Sequence, residues 1–335
     1  MADFSIEDDP PTNFVIDFIF HSEDTDSKLT VMCNGKRIII RLSADSFSES
    51  PPLEEKYRHF LQVFEDELDG WTVDDFYDWV LEPFLPLFRD LPPPCNDTKL
   101  TLQDFLFPET LCYTLRVVAG ELSPCPDEND MIDESTFGAL LSKELCSSWP
   151  SFDPEIEICD DDRGDTPPSP TPNKVQPVGG TIPFFLKPIG LGDTRSAERE
   201  IKNYKKMRDV ELPKDLHVPR LHGIVEDRTG LVFGLLLTYI ECQAVTLRCA
   251  MRREVAMSLR RKWAEQIKSA VDGLHKAGVT WSDVKPDNVL VDVNEDAWVV
   301  DFGGGYTKGW VDKQAAGTVE GDRDGLEKIL EFIGV

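Results

Sequence analysis

Bulky and mixed side chains alternate over residues 14–20, and two further strand-like runs, Leu29 to Cys33 and Lys36 to Leu42, are joined by Asn34-Gly35. Asn-Gly tolerates the positive φ angles of a tight hairpin loop, so this spacing predicts a small β-element near the start of the chain. After Ser50-Pro51-Pro52, residues Tyr57, Phe60, Leu61, Phe64 and Leu68 recur at helical period with Glu and Arg on the other face, predicting an amphipathic helix that ends near Gly70. Thr72, with Asp75 three positions on, has the form of a capping box. Phe76, Trp79, Val80, Phe84 and Leu87 follow as an apolar segment broken by Pro83 and Pro86. Leu111, Tyr113, Leu115 and Val117 then recur at period two, as in a strand. Aromatic side chains this dense are expected to be core rather than a partner-binding groove, since large rings carry much of a domain's burial.

The second half carries its own pattern. Residues 160–173, Asp-Asp-Asp-Arg-Gly-Asp-Thr-Pro-Pro-Ser-Pro-Thr-Pro-Asn, hold too little apolar surface to offset ordering and predict an acidic connector in which Ser169 and Thr171 are accessible hydroxyls. Ile156 to Cys159 before it and Val175 to Val178 after it read as strands of one sheet, which makes the connector an insertion. Gly179-Gly180 turns the chain into Ile182 to Leu186, a strand ending in Lys187. A helix over 196–208 presents Ile201, Tyr204 and Met207 on one face, and Leu231 to Ile240 is the almost uniformly apolar run of a buried strand. Leu259, Trp263, Ile267, Val271 and Leu274 predict a long buried helix up to Gly278. A hairpin of Val289 to Val291 and Ala297 to Val300 then closes on a turn at 294–296.

Composition narrows the class of function. The chain has 335 residues, 41% of them apolar, enough for two domains with buried cores, and a formal charge of −27 that opposes nucleic-acid binding and favours a basic partner. Eight cysteines without a Cys-x-x-Cys pair indicate neither a zinc site nor a disulfide framework. The first residues lack the basic and apolar regions of a secretory signal, and no apolar run is long enough to span a bilayer, so an intracellular protein, cytoplasmic or nuclear, is expected. Arg252, Arg253, Arg260, Arg261 and Lys262 form a basic cluster, read as a solvated helix face.

The chemistry concentrates between Thr280 and Gly303. Asp283, Lys285 and Asn288 lie in a turn-rich segment before the hairpin, and the hairpin ends by returning Asp301-Phe302-Gly303 beside it. A carboxylate that orients an attacking hydroxyl, a cation near the transferred phosphate and oxygen ligands for a divalent metal are what phosphoryl transfer requires.

This stretch resembles the catalytic loop and Asp-Phe-Gly motif of the protein kinases, with Trp281 and Ser282 where that family has His and Arg. The resemblance implies Asp283 as catalytic base, Lys285 on the transferred phosphate, and Asn288 and Asp301 as ligands of Mg2+. Lys187 then corresponds to the lysine that contacts the ATP phosphates and Glu200 to its helix partner, with Glu198 as fallback. Leu237 stands at the back of the nucleotide pocket, with Tyr239 and Ile240 in the adenine-contacting hinge. Trp281 is expected to pack on Phe302, and Asp322 to hydrogen-bond the backbone of the catalytic loop.

The resemblance covers about 175–335 and has departures. The sequence contains no G-x-G-x-x-G ahead of Lys187, leaving Gly179-Gly180 as its remnant, and 32 of the 335 residues follow Gly303, with no Ala-Pro-Glu motif. A shortened C-lobe is therefore expected, an arrangement similar to the compact protein-kinase-like proteins of fungi.

The fold implied is α+β: a protein-kinase-like bilobal domain over 175–335 (N-lobe 175–241, C-lobe 242–335), an α/β extension over 1–150 packing on it, and a connector over 151–174. The function implied is an ATP- and Mg2+-dependent phosphotransferase, a Ser/Thr protein kinase. The alternatives are a pseudokinase that binds nucleotide or acts as a scaffold, and a kinase of small molecules. ATP and a protein or small-molecule acceptor are the expected partners.

Overall fold

In the computed structural model of the chain, residues 11–20, 24–66, 72–93, 99–127, 136–159, 170–242 and 245–335 are described. The connector at 160–169, Ser169 included, and the expected helix end at Leu68 and Gly70 lie outside them. The chain divides into two compact units, Met1–Thr136 with Ser169–Thr171, and Phe137–Pro168 with Pro172–Val335. The division falls after Thr136 rather than at 150, because residues beyond 136 contribute strands to the second sheet.

In the first unit, β1 (Asn13–Phe20), β2 (Ser27–Cys33) and β3 (Lys36–Leu42) form the expected antiparallel meander. The β2–β3 turn has Asn34 and Gly35 at φ 49° and 72°, the left-handed geometry that this dipeptide accepts. α1 (Pro51–Asp66) and α2 (Val73–Leu81) follow. Thr72 Oγ1 accepts the Asp75 N–H at 3.2 Å while the Asp75 carboxylate accepts the Thr72 N–H at 2.7 Å, so the capping box forms. Pro83 and Pro86 divert the segment into a 3-10 turn and α3 (Leu85–Asp90), and α4 (Leu102–Leu106) leads to β4 (Thr110–Val118). β4 pairs parallel with β3 and antiparallel with β5 (Glu121–Pro126). Phe47, Tyr57, Phe60, Phe76, Phe84 and Phe88 are wholly buried in one cluster with Leu29, Val31, Ile38 and Ile40, so the aromatic segment is core.

The second unit opens with β6 (Ala139–Leu140), α5 (Lys143–Cys146) and β7 (Ser151–Phe152). β8 (Glu157–Ile158), β9 (Lys174–Gln176) and β10 (Phe184–Pro188) come next, followed by α6 (Thr194–Asp209), β11 (Leu221–Glu226) and β12 (Leu231–Thr238). The strand order is β7-β11-β12-β10-β9-β8, with β6 added to β12. Pairing of β8 with β9 confirms that the flanks of the acidic connector belong to one sheet. Two expectations change. Residues 137–159, placed in the extension and connector, are part of this sheet. Gly179-Gly180 does make the expected turn, from β9 into the Lys187 strand β10, but it is not the remnant of a glycine loop, because the connection between β8 and β9 is the acidic, proline-rich segment itself.

Below the sheet come α7 (Leu247–Ala250) and α8 (Met257–Lys276), then the hairpin of β13 (Val289–Val291) and β14 (Ala297–Val299), and α9 (Val319–Ile333). α8 buries Trp263, Ile267, Val271 and Leu274 as its period requires and stops before Gly278, whose φ of 67° suits glycine. Of the basic cluster, Arg260 donates to the carbonyls of Val255 and Ile333, and Lys262 pairs with Asp296.

Candidate active site

β10 carries Lys187 in the middle of the sheet, opposite Leu235 of β12. An ammonium there requires an anion, and two are in place: Glu200 Oε2 from α6 at 2.7 Å and Asp301 Oδ1 at 2.8 Å. Burial alone lowers the pKa of this lysine, but the two carboxylates outweigh it and hold the pKa above its usual value. For Glu200 burial dominates and raises the pKa, with Lys187 pulling back in part. The upward shift of Lys187 is the direction the geometry supports, because its ammonium lies within 2.8 Å of both carboxylates. Glu198 is excluded as the partner: its carboxylate accepts the Ser142 N–H at 3.0 Å and pairs with Lys202 on the helix surface.

These groups line a pocket of about 430 Å³ whose wall also includes Leu237, Tyr239, Ile240, Asn288, Leu290 and Val300. Lys187, Glu200, Leu237, Tyr239, Ile240, Asn288 and Asp301 therefore border one cavity. Asp283 and Lys285 are not among its lining residues but adjoin it through Asn288, whose Nδ2 donates to the Asp283 carbonyl at 2.9 Å and to its carboxylate at 3.1 Å.

The loop is held rigidly from below. Asp322, at the start of α9 and 1% exposed, accepts the N–H of Trp281 and that of Ser282, each at 2.7 Å, and pairs with His275 Nε2 at 2.8 Å. This is the expected bond from Asp322 to the loop backbone. Ser282 and Asp301 both have left-handed backbones, φ 73° and 67°, which non-glycine residues keep only where surroundings enforce them. Trp281 is wholly buried in the same core cluster as Phe302. Its indole donates to the Val300 carbonyl at 2.9 Å, one residue before Asp301, and the ring that packs edge-on against Phe302 is Tyr204, 5.7 Å away.

Thr307 escaped the sequence reading. Its hydroxyl donates to Asp283 Oδ1 at 2.7 Å and accepts from Lys285 Nζ at 3.0 Å, while Lys285 also pairs with Asp283 Oδ2 at 2.7 Å. A hydroxyl thus stands between a carboxylate and an ammonium. Arg248, also unforeseen, grips Asp287 through both carboxylate oxygens at 2.8 Å. Nothing in the spacing marks either residue, because each contact crosses an irregular segment.

The donor set also fits a divalent metal. Asn288 uses its amide nitrogen toward Asp283, leaving its carbonyl oxygen as acceptor, and Asp301 engages Lys187 and the Gly303 N–H through Oδ1. One carbonyl and one carboxylate oxygen suit magnesium, which keeps waters and takes its remaining ligands from phosphates.

The protein kinase domain family matches residues 189–321, a span that contains Glu200, Asp283, Asn288 and Asp301 and begins just after Lys187. Over 115 residues the chain is 29% identical to CBL-interacting protein kinase 15 of Oryza sativa subsp. japonica, covering 34% of this chain and 25% of that protein. Over 117 residues it is 44% identical to serine/threonine-protein kinase PknE of Mycobacterium bovis, covering 34% of this chain and 20% of that protein. The match thus spans a quarter or less of the length of these relatives.

Proposed function

The chain belongs to the protein-kinase-like superfamily, and we propose that it is an ATP- and Mg2+-dependent phosphotransferase whose acceptor is a Ser or Thr hydroxyl of a protein. The observation that carries this reading is the Thr307 hydroxyl, held between Asp283 at 2.7 Å and Lys285 at 3.0 Å. That is the environment an acceptor hydroxyl needs at the moment of attack.

In this reading the adenine lies against Leu237, Tyr239 and Ile240, and Lys187, steadied by Glu200, meets the α- and β-phosphates. Asn288 and Asp301 would hold Mg2+, which would neutralise phosphate charge. The acceptor oxygen attacks the γ-phosphorus, the bond from that phosphorus to the β–γ bridging oxygen breaks, ADP departs, and Asp283 takes the hydroxyl proton. Lys285 offsets the charge on the phosphoryl oxygens in transit. Positioning and electrostatics supply the catalysis.

A pseudokinase is favoured instead by one feature. The connection from β8 to β9, residues 159–173, contains a single glycine, so the backbone amides that usually cradle β- and γ-phosphates have no glycine loop to present them. Labelled ATP with Mg2+ and generic protein substrates separates the two readings. Transfer that disappears in Asp283→Ala supports the enzyme, and Mg-ATP binding without transfer supports the pseudokinase.

A further inference from the structure

α6 turns two unlike faces in opposite directions. Ala197, Glu200, Ile201, Tyr204 and Met207 are buried, whereas Arg195, Arg199, Lys202 and Lys206 recur at helical spacing and are all exposed, one continuous stripe along the helix. The stripe borders a shallow surface concavity of about 590 Å³. Cations on a helix surface are commonly matched by carboxylates one turn away, and two here are: Lys202 pairs with Glu198 and Lys205 with Asp209, each at 2.8 Å. The Arg195 and Arg199 side chains have no hydrogen-bond or ion-pair partner among the described residues. In a chain with 62 acidic and 35 basic residues, two unpaired guanidinium groups one turn apart are the reverse of what composition supplies.

The stripe is also held in place. Lys206 donates to the Gly278 carbonyl at 2.9 Å, and Asn203, bordering the same concavity, donates to the Phe302 carbonyl at 2.9 Å. Arg199 lies against Gly304, where a β-carbon would collide with its guanidinium. A surface ordered in advance loses less entropy on binding.

An apolar patch adjoins its N-terminal end. Leu140 is 67% exposed and Leu191 60%. The Thr194 hydroxyl donates to the Leu140 carbonyl at 3.3 Å, the Gly192 N–H to the Gly138 carbonyl at 2.9 Å, and the Glu198 carboxylate accepts the Ser142 N–H at 3.0 Å, so the β6 segment is tied to the first turn of α6. Two large apolar side chains thus stand in water beside the start of the cationic stripe, a combination that marks an interaction surface.

We propose that this face docks an acidic segment of a partner protein, with apolar side chains seated on Leu140 and Leu191 and carboxylates along Arg195, Arg199 and Lys202. Arginine engages a carboxylate through paired hydrogen bonds, and a cationic strip on an otherwise acidic molecule selects such a segment by charge.

The test is fluorescence anisotropy on the full chain with a labelled peptide of leucines followed by a run of glutamates. A saturable rise is expected, reduced as salt is raised and weakened about tenfold or more in Arg195→Glu/Arg199→Glu. Leu140→Ser/Leu191→Ser should weaken it several-fold. Arg195 makes no hydrogen bond or ion pair within the described residues, so Arg195→Glu alone should keep the melting temperature while lowering affinity, which separates loss of the docking face from loss of the fold. Arg252→Glu/Arg253→Glu reverses charge at another exposed pair and should bind as the unaltered chain does. No saturable rise up to about millimolar peptide, or equal weakening by the two double charge reversals, overturns the proposal. Equal binding of a peptide with lysines in place of its glutamates does the same. A peptide with serines in place of its leucines that binds as tightly rejects the apolar contact, and displacement by a single-stranded oligonucleotide as readily as by unlabelled peptide shows a site for any polyanion; either result overturns the assignment to an acidic segment with an apolar end.

Discussion

The hydroxyl of Thr307 donates to Asp283 Oδ1 at 2.7 Å, across 24 residues of chain. It occupies one carboxylate oxygen while Lys285 and Asn288 hold the other, at 2.7 and 3.1 Å. The carboxylate is thereby fixed in orientation, which is what a base acting on a hydroxyl needs before substrate arrives.

Asp283 and Asp301 should fail differently when removed. Asp301→Ala deletes charge needed in the ground state, both for a metal and for Lys187, and is expected to weaken Mg2+-dependent ATP binding by about tenfold or more. Asp283→Ala should spare that affinity and reduce turnover by roughly 10²–10⁴, the range of a positioned base. Calorimetry with and without magnesium, beside single-turnover transfer, distinguishes them, and equal losses of affinity in both variants would contradict the assignment.

Phosphorylation of the segment 304–321 should not activate. Ser282 stands where an arginine receives the activating phosphate in many kinases, so the cationic receptor is missing. At Thr307 a phosphate would face Asp283 directly. Thr307→Ser is expected to keep turnover, and Thr307→Asp to reduce it about 100-fold through like-charge contact. A large gain of activity on phosphorylating Thr307 or Thr318 would count against this account.

Asp322→Ala should destabilise the second unit by about 2–4 kcal/mol, because the Trp281 and Ser282 amides and the His275 ring lose a shared buried acceptor. Asp322→Asn keeps one acceptor oxygen and should lie between. Urea denaturation provides the comparison. With the strained Ser282 backbone released, turnover should fall further than ATP affinity, and an unchanged midpoint for Asp322→Ala would refute the buried-acceptor argument.

A fragment beginning at Asn173 retains Lys187, Glu200, Asp283, Asn288 and Asp301 yet should be insoluble or inactive. It loses β6, β7 and β8 from the sheet, together with the buried side chains of Phe137, Ala139, Leu145, Trp149 and Ile156. A fragment beginning at Phe137 keeps them, and we expect it to unfold cooperatively and to bind Mg-ATP. Circular dichroism melts and calorimetry of the two fragments decide the matter; cooperative folding of the shorter one would show those strands to be dispensable.

The sequence by itself determined the elements whose information is local and the pattern whose spacing is fixed. Asn34-Gly35 set a hairpin because few dipeptides accept two left-handed residues, and Thr72 with Asp75 set a helix start because both hydrogen bonds lie within one turn. The period of α8 and the run from Thr280 to Gly303 were legible for the same reason, and with them Asp283, Lys285, Asn288 and Asp301. Tertiary structure alone decided which distant groups meet. It chose Glu200 over Glu198 because only one of the two faces inward from α6, a matter of helix rotation that composition does not carry. It recruited 139–140, 151–152 and 157–158 into the second sheet, since two-residue strands have no periodicity and exist only through the partners they pair with. It brought Thr307 onto Asp283 and Tyr204 onto Phe302 by paths through irregular chain and across elements, where contact is fixed by packing rather than by spacing.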